Sequence, residues 1–135
     1  NDQVHVFQKP IKREYFEIKT SIPQVEIIKC YIGADGKFIK AAREAGIAGI
    51  ILEGVGRGQV APKMMTEIEK AIAQGMKLVI TTSAEEGSVY TTYDYEGSAF
   101  DLCNKGVILG SDNDSKKARI KLAVALASNL NEIRF

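Results

Sequence analysis

From residue 25 onward the chain alternates between two hydrophobic periods. Val25-Glu26-Ile27-Ile28-Lys29-Cys30-Tyr31 is apolar and β-branched, is broken by Gly33-Ala34-Asp35-Gly36, and reads as a strand over 25–31. Phe38, Ile39, Ala42 and Ala45 recur at helical spacing before Gly46, a helix stop, which predicts a helix over 37–45. Residues 47–52 form a second strand. Pro62 suits the first turn of a helix, where its missing N–H costs nothing, and Met65, Ile68 and Ile72 then share one face up to Gly75. Residues 77–82 make a third strand, and a polar stretch over 83–97 ends in a short helical turn capped by Ser98. A fourth strand covers 107–109. Ser115 then caps a last helix that turns Ala118, Leu122, Ala123 and Leu126 inward.

Strands joined through helices need crossover connections, so the pattern predicts an α/β fold: a small doubly wound, mainly parallel four-stranded sheet with helices on both faces, in a flavodoxin-like three-layer arrangement. In such a sheet functional loops gather at the carboxyl ends of the strands. Three qualify here: 33–36, 53–61 and 83–97. The first 23 residues fit this scheme poorly. Val4, Val6 and Ile11 hint at an edge strand, whereas Lys9-Pro10 and Lys12-Arg13-Glu14 read as a solvated connector, so 1–23 is taken as a linker from a preceding domain and 24–135 as the α/β domain.

At 135 residues the chain fits one domain, and its 45% hydrophobic and 26% charged make-up is that of a globular protein. Eighteen basic against seventeen acidic residues, with no arginine-rich tract, argue against nucleic acid as a partner. No apolar run reaches the roughly 18 residues of a membrane span, and the opening Asn1-Asp2-Gln3-Val4-His5 lacks the regions of a signal peptide. The start has no initiator methionine and reads as an excised segment, so periplasmic and cytoplasmic origins both remain compatible with it. Cys30 and Cys103 show no metal-type spacing around the single His5; two buried free thiols are expected, and no metal or cofactor.

Candidate chemistry concentrates in two loops. Gly54-Val55-Gly56-Arg57-Gly58-Gln59 places glycine at every second position, which permits positive φ and close approach of another group. It is either a tight turn without a ligand or a cradle beside a small polar ligand. A dinucleotide fingerprint would need glycine where Gln59 stands, and no Walker lysine follows. In Thr91-Thr92-Tyr93-Asp94-Tyr95-Glu96, strand-like spacing puts Thr92, Asp94 and Glu96 on one side, where the carboxylates can hold an ammonium or work as acid and base; solvated loop charges are the plainer alternative. No nucleophile with a neighbouring base is evident.

Together these segments, with Gly106-Val107-Ile108-Leu109-Gly110 leading to Lys116-Lys117-Ala118-Arg119-Ile120-Lys121-Leu122, resemble the C-terminal domain of bacterial-type L-asparaginases and glutaminase-asparaginases over roughly residues 23–128. The resemblance implies an amidohydrolase converting L-asparagine to L-aspartate and ammonia, with its threonine nucleophile in a Gly-Gly-Thr motif of an N-terminal catalytic domain. This chain has no such motif, so it is expected to be inactive alone. The resemblance also implies a homo-oligomer, dimer or tetramer, in which the C-terminal domain completes a neighbouring subunit's site. By position Gln59 and Glu96 would approach the α-amino end of the amino-acid amide, supported by Gly54, Gly56, Arg57, Gly58, Thr92 and Asp94. Gln59 departs from the family's asparagine, moving the amide outward by about one C–C bond, which bears on substrate preference.

Two other readings share the strand–helix rhythm. A flavodoxin-like or receiver-like module for small-ligand binding or signalling would need a phosphate loop or paired acids after the first strand, and Gly33-Ala34-Asp35-Gly36 supplies neither. A structural dimerisation domain would use the glycine loop for close packing only.

Overall fold

The computed structural model describes residues 13–85 and 87–135. Its single sheet contains β1 (Val25–Lys29), β2 (Gly49–Gly54), β3 (Lys77–Thr82) and β4 (Ile108–Leu109), all parallel and in the order β1-β2-β3-β4. Helices α1 (Lys37–Glu44), α2 (Met65–Ala73) and α3 (Ala99–Asn104) make the three crossovers, α2 being preceded by a 3₁₀ turn at Pro62–Met64. The helix α4 (Ser115–Ala127) follows the last strand.

Helices do lie on both faces, but unequally. Right-handed crossovers that always step in the same direction deliver their helices to one side. Accordingly Ile39 of α1, Ile68 of α2 and Leu102 of α3 share a core with Ile50, Leu52, Leu78 and Ile80, while Ala118, Leu122 and Ala123 of α4 pack against Val25, Ile51 and Val79 on the other face. Residues 50, 51 and 52 are fully buried to alternate sides, which is why β2 reads as an unbroken apolar run. Because the strand order never reverses, the described sheet also lacks the switch point that forms the ligand crevice of a flavodoxin-type module.

Each crossover helix ends by the same device. Gly46, Gly75 and Gly106 take positive φ (73°, 88° and 98°), and the next residue's N–H returns to a carbonyl five residues back: Ile47 to Ala42, Met76 to Ala71 and Val107 to Leu102. This is the Schellman arrangement. It explains two differences from the sequence pattern. Ile47 and Val107 are occupied in closing α1 and α3, so β2 begins at Gly49 rather than 47 and β4 at Ile108 rather than 107.

α3 begins as predicted, with the Ser98 side chain accepting from the Asp101 N–H. α4 does not. Its cap is Asp114, whose carboxylate accepts from the Lys117 N–H at 2.8 Å, and Ser115 is the first helical residue. Asp outcompetes the adjacent Ser for that position, which frees the Ser115 hydroxyl for another partner. The thiols also divide. Both cysteines are free, but only Cys30 is buried; Cys103 is exposed, because α3 buries Ala99 and Leu102 and turns the next residue outward.

The predicted edge strand of Val4, Val6 and Ile11 and the Lys9-Pro10 connector lie outside the described residues. Further along, Glu14 pairs with Lys121 at 2.7 Å, and the Lys19 and Thr20 N–H groups both donate to the Ala127 carbonyl. The Lys-Ala-Arg run of α4 has a structural use: Ala118 is fully buried, and Arg119 Nε donates to the Val25 carbonyl at 2.7 Å, tying α4 to the start of β1.

Leu122 rests on Gly49, where a Cβ would lie 2.8 Å from its Cδ2 and 3.0 Å from the Lys77 carbonyl. Gly49→Ala should therefore lower stability by about 1–3 kcal/mol, as overpacking generally does. Urea unfolding of Gly49→Ala and of Gly49→Ala/Leu122→Ala measures it: the double variant should lose less than the sum of the singles, since removing Leu122 opens the space the new methyl needs.

Candidate functional site

The three loops at the carboxyl ends of the strands have different fates. In the first, an Asp35 carboxylate oxygen accepts from the Lys37 N–H at 3.1 Å, so the acid serves the start of α1. The second is a miniature hairpin. Val55 and Gln59 exchange two backbone hydrogen bonds, each 3.0 Å, leaving Gly56-Arg57-Gly58 as a three-residue turn.

The glycine spacing follows from this geometry. Gly56 and Gly58 take φ of 54° and 94°. A Cβ at Gly54 would lie 2.7 Å from the Gln59 carbonyl oxygen, and one at Gly58 would lie 2.6 Å from Val89 Cγ1. The glycines thus build the turn, and the side chains it presents are exposed Arg57 and half-buried Gln59.

The third loop is fastened to this hairpin at its two ends and at Tyr90. The Ser83 N–H donates to the Gly54 carbonyl and the Thr82 hydroxyl to the Gly56 carbonyl, at 2.8 and 2.5 Å. Val89 is buried beneath the turn, the Tyr90 N–H donates to the Arg57 carbonyl at 3.2 Å, and the Val60 N–H donates to the Gly97 carbonyl at 2.9 Å. Gly97, at φ 83°, lies against the Val60 carbonyl, where any Cβ would collide.

The strand-like alternation expected of Thr92, Asp94 and Glu96 is not realised. Residues 91–94 carry no regular structure, and the flanking Tyr90 and Gly97 bond to the hairpin rather than to a strand. Asp94 and Glu96 nevertheless face a common cleft of about 290 Å³, with Met65, Tyr95, Asp101 and Lys105. Thr92 is exposed and is not part of that lining. Lys105 pairs with Glu69, which raises its pKa, and the charges of Asp101 and Glu96 add to the effect.

Gln59 and Glu96 are brought close in the chain's three-dimensional path. Each immediately precedes one partner of the Val60–Gly97 hydrogen bond, so hairpin and acidic loop are fastened at the position next to both. A half-buried amide and an exposed carboxylate can bind a small cationic group by charge-assisted hydrogen bonds, and neither is a hydroxyl or thiol nucleophile.

Glu53 is a residue whose partners the sequence pattern did not reveal. One carboxylate oxygen accepts from the Ser115 hydroxyl at 2.5 Å and the other pairs with Lys29 Nζ at 3.2 Å, and its side chain is only 18% exposed. The Ser115 hydrogen bond, opposed by partial burial and aided by Lys29, holds its carboxyl below the ordinary glutamate value of 4.5. The available signal was an acid closing an otherwise apolar strand.

Residues 24–134 match the glutaminase/asparaginase C-terminal domain family. The chain is 63% identical over 128 residues to an L-asparaginase of Bacillus licheniformis, covering 95% of this chain and 40% of that protein. It is 30% identical over 127 residues to a glutaminase-asparaginase of Pseudomonas fluorescens biotype A, covering 89% and 34%. In structure it resembles a probable cytoplasmic L-asparaginase from Campylobacter jejuni, with a TM-score of 0.70 and 28% identity over 81% of this chain and 34% of that one. The chain therefore spans about two fifths or less of the length of these relatives.

A carboxyl whose pKa is lowered by folding stabilises the fold above its unfolded value, and that contribution is lost as pH falls through the folded value. Ser115→Ala should thus cost about 1–2 kcal/mol near neutral pH. The difference from the parent should shrink as pH falls from the ordinary glutamate value of 4.5 through the lowered folded-state value, below which Glu53 is protonated in both. Denaturant midpoints of the two proteins, followed from pH 7 into the acid range, check the sign.

Proposed function

The chain belongs to the glutaminase/asparaginase C-terminal domain family, and from that premise we propose that it forms the substrate-orienting part of an L-asparaginase, which hydrolyses L-asparagine to L-aspartate and ammonia. On this reading an N-terminal catalytic domain of the same protein supplies the nucleophile, and the carboxyl edge of this sheet completes the site of a neighbouring subunit in a homo-oligomer. The observation that supports the proposal is the Val60–Gly97 hydrogen bond, which joins the residues that directly follow Gln59 and Glu96 in sequence-distant loops.

The chemistry follows from the two side chains. Glu96, exposed and acceptor-only when ionised, meets the α-ammonium of the amino-acid amide. Excluded from water by the partner subunit, such a pair contributes about 1.5–3 kcal/mol. The Gln59 amide offers both a donor and an acceptor, and its extra methylene relative to asparagine reaches farther from the hairpin. Asp94 reinforces the negative potential that draws an ammonium toward the edge. None of these groups attacks the amide carbon; they hold the substrate's amino end while bond cleavage takes place on the other domain.

The Gly-Gly-Thr motif is absent from these 135 residues. The chain expressed alone should accordingly release no ammonia from asparagine above buffer, whereas the full-length protein does, in a coupled ammonia assay on rigorously purified material.

In the full-length protein Glu96→Ala should raise KM for asparagine roughly 10-fold or more, the loss of about 1.4 kcal/mol or more of binding. Its unfolding midpoint should move little, because an exposed loop carboxylate contributes little to stability. Unchanged steady-state kinetics would remove Glu96 from the site.

A further inference from the structure

The acidic loop is closed onto the hairpin at two ends. At the Gly97 end the closure is a backbone hydrogen bond to Val60, which no side-chain substitution removes. At the Tyr90 end the same two residues meet twice: the Tyr90 N–H donates to the Arg57 carbonyl at 3.2 Å, and the Arg57 guanidinium lies over the Tyr90 ring, 5.3 Å from its centroid. Arg57 stands between two glycines of positive φ, so it is the one side chain at the tip of the turn. Gly56 and Gly58 leave the backbone there with wide conformational freedom, and a planar cation stacked on an aromatic face restricts it.

We propose that Arg57 is a positioning residue, which by stacking on Tyr90 latches the hairpin bearing Gln59 to the loop bearing Glu96, so that both groups meet a ligand's ammonium as one preorganised unit. The proposal rests on the function proposed above and deepens it. Two contacts make the latch separable from the fold. Val89 stays buried under Gly58, and the Val60–Gly97 bond persists, so losing the stack loosens the segment between Tyr90 and Gly97 without unseating its ends. A freer segment binds the same ammonium less tightly because it must be ordered on binding.

Full-length protein carrying Arg57→Ala, Tyr90→Ala, both together, or Tyr90→Phe provides the test, by asparagine kinetics and by hydrogen exchange of backbone amides. Each alanine variant should raise KM about two- to fivefold with kcat nearly unchanged, the size of one exposed cation–π contact. The double variant should be no worse than either single one, and Tyr90→Phe, which keeps the ring, should restore most of the binding. Exchange should quicken in residues 90–97 and 55–60 while the strands stay protected. If exchange in 90–97 is unchanged in Arg57→Ala, or if the two alanine effects simply add, the latch is overturned. If exchange responds while Glu96→Ala leaves KM untouched, the latch stands and the asparagine-orienting role is what fails.

Discussion

Because β2 is buried on both faces and hydrogen-bonded along both edges, its backbone can leave the sheet only at the carboxyl end, between the ends of β1 and β3. Everything at the candidate site is arranged around that exit. The hairpin begins where the ladder stops: Gly54 is the last residue of β2 to pair with β3, and its carbonyl accepts from the Ser83 N–H as the neighbouring strand runs out. α4 then covers the second face, with Leu122 lying on Gly49 at one end of β2 and Ser115 reaching Glu53 near the other. The same helix thus contacts both ends of the central strand, and through Arg119 it also holds the edge strand beside it.

Most of the architecture was legible because local signals and long-range packing agree. The two hydrophobic periods, the glycine stops at Gly46 and Gly75 and the proline at Pro62 each state the same boundary that the folded chain adopts within a residue or two. The displaced strand starts at Gly49 and Ile108 have one cause: an apolar residue after a helix-ending glycine is ambiguous, and in both cases the helix claims its N–H first. The cap of α4 lies one residue earlier than the pattern predicts because Asp114 and Ser115 are both good caps, and three-dimensional placement gives Ser115 another partner in Glu53.

The site was legible as a set of loops but not as a shape. Glycine at 54, 56 and 58 suggested room for a ligand, whereas the folded hairpin fills the room at 54 and 58 with its own backbone, Ile80 and Val89, and uses Gly56 for its positive φ. Alternation of Thr92, Asp94 and Glu96 suggested a strand face, yet among the described residues no strand pairs with them, and of the three Asp94 and Glu96 line the same cleft. Pairings such as Arg57 with Tyr90 or Val60 with Gly97 join residues more than thirty positions apart. Periodicity carries no information at that range. The likeness to a known family carried the assignment of Gln59 and Glu96, and the Val60–Gly97 hydrogen bond shows that their two loops, so distant in sequence, meet in the fold.

The fastening of the 83–97 loop also governs where this domain can accept changes in chain length. Residues 83–85 and 87 are exposed, so extra residues there would be absorbed in solvent. Between Tyr90 and Gly97 the two ends are pinned to the same hairpin, one at its tip and the other just past Gln59. One residue gained or lost in that interval would have to bulge at its centre or slide Glu96 past Gln59. Length variation among relatives should therefore gather in the first half of the loop, with the second half keeping a constant count even where its residue types drift.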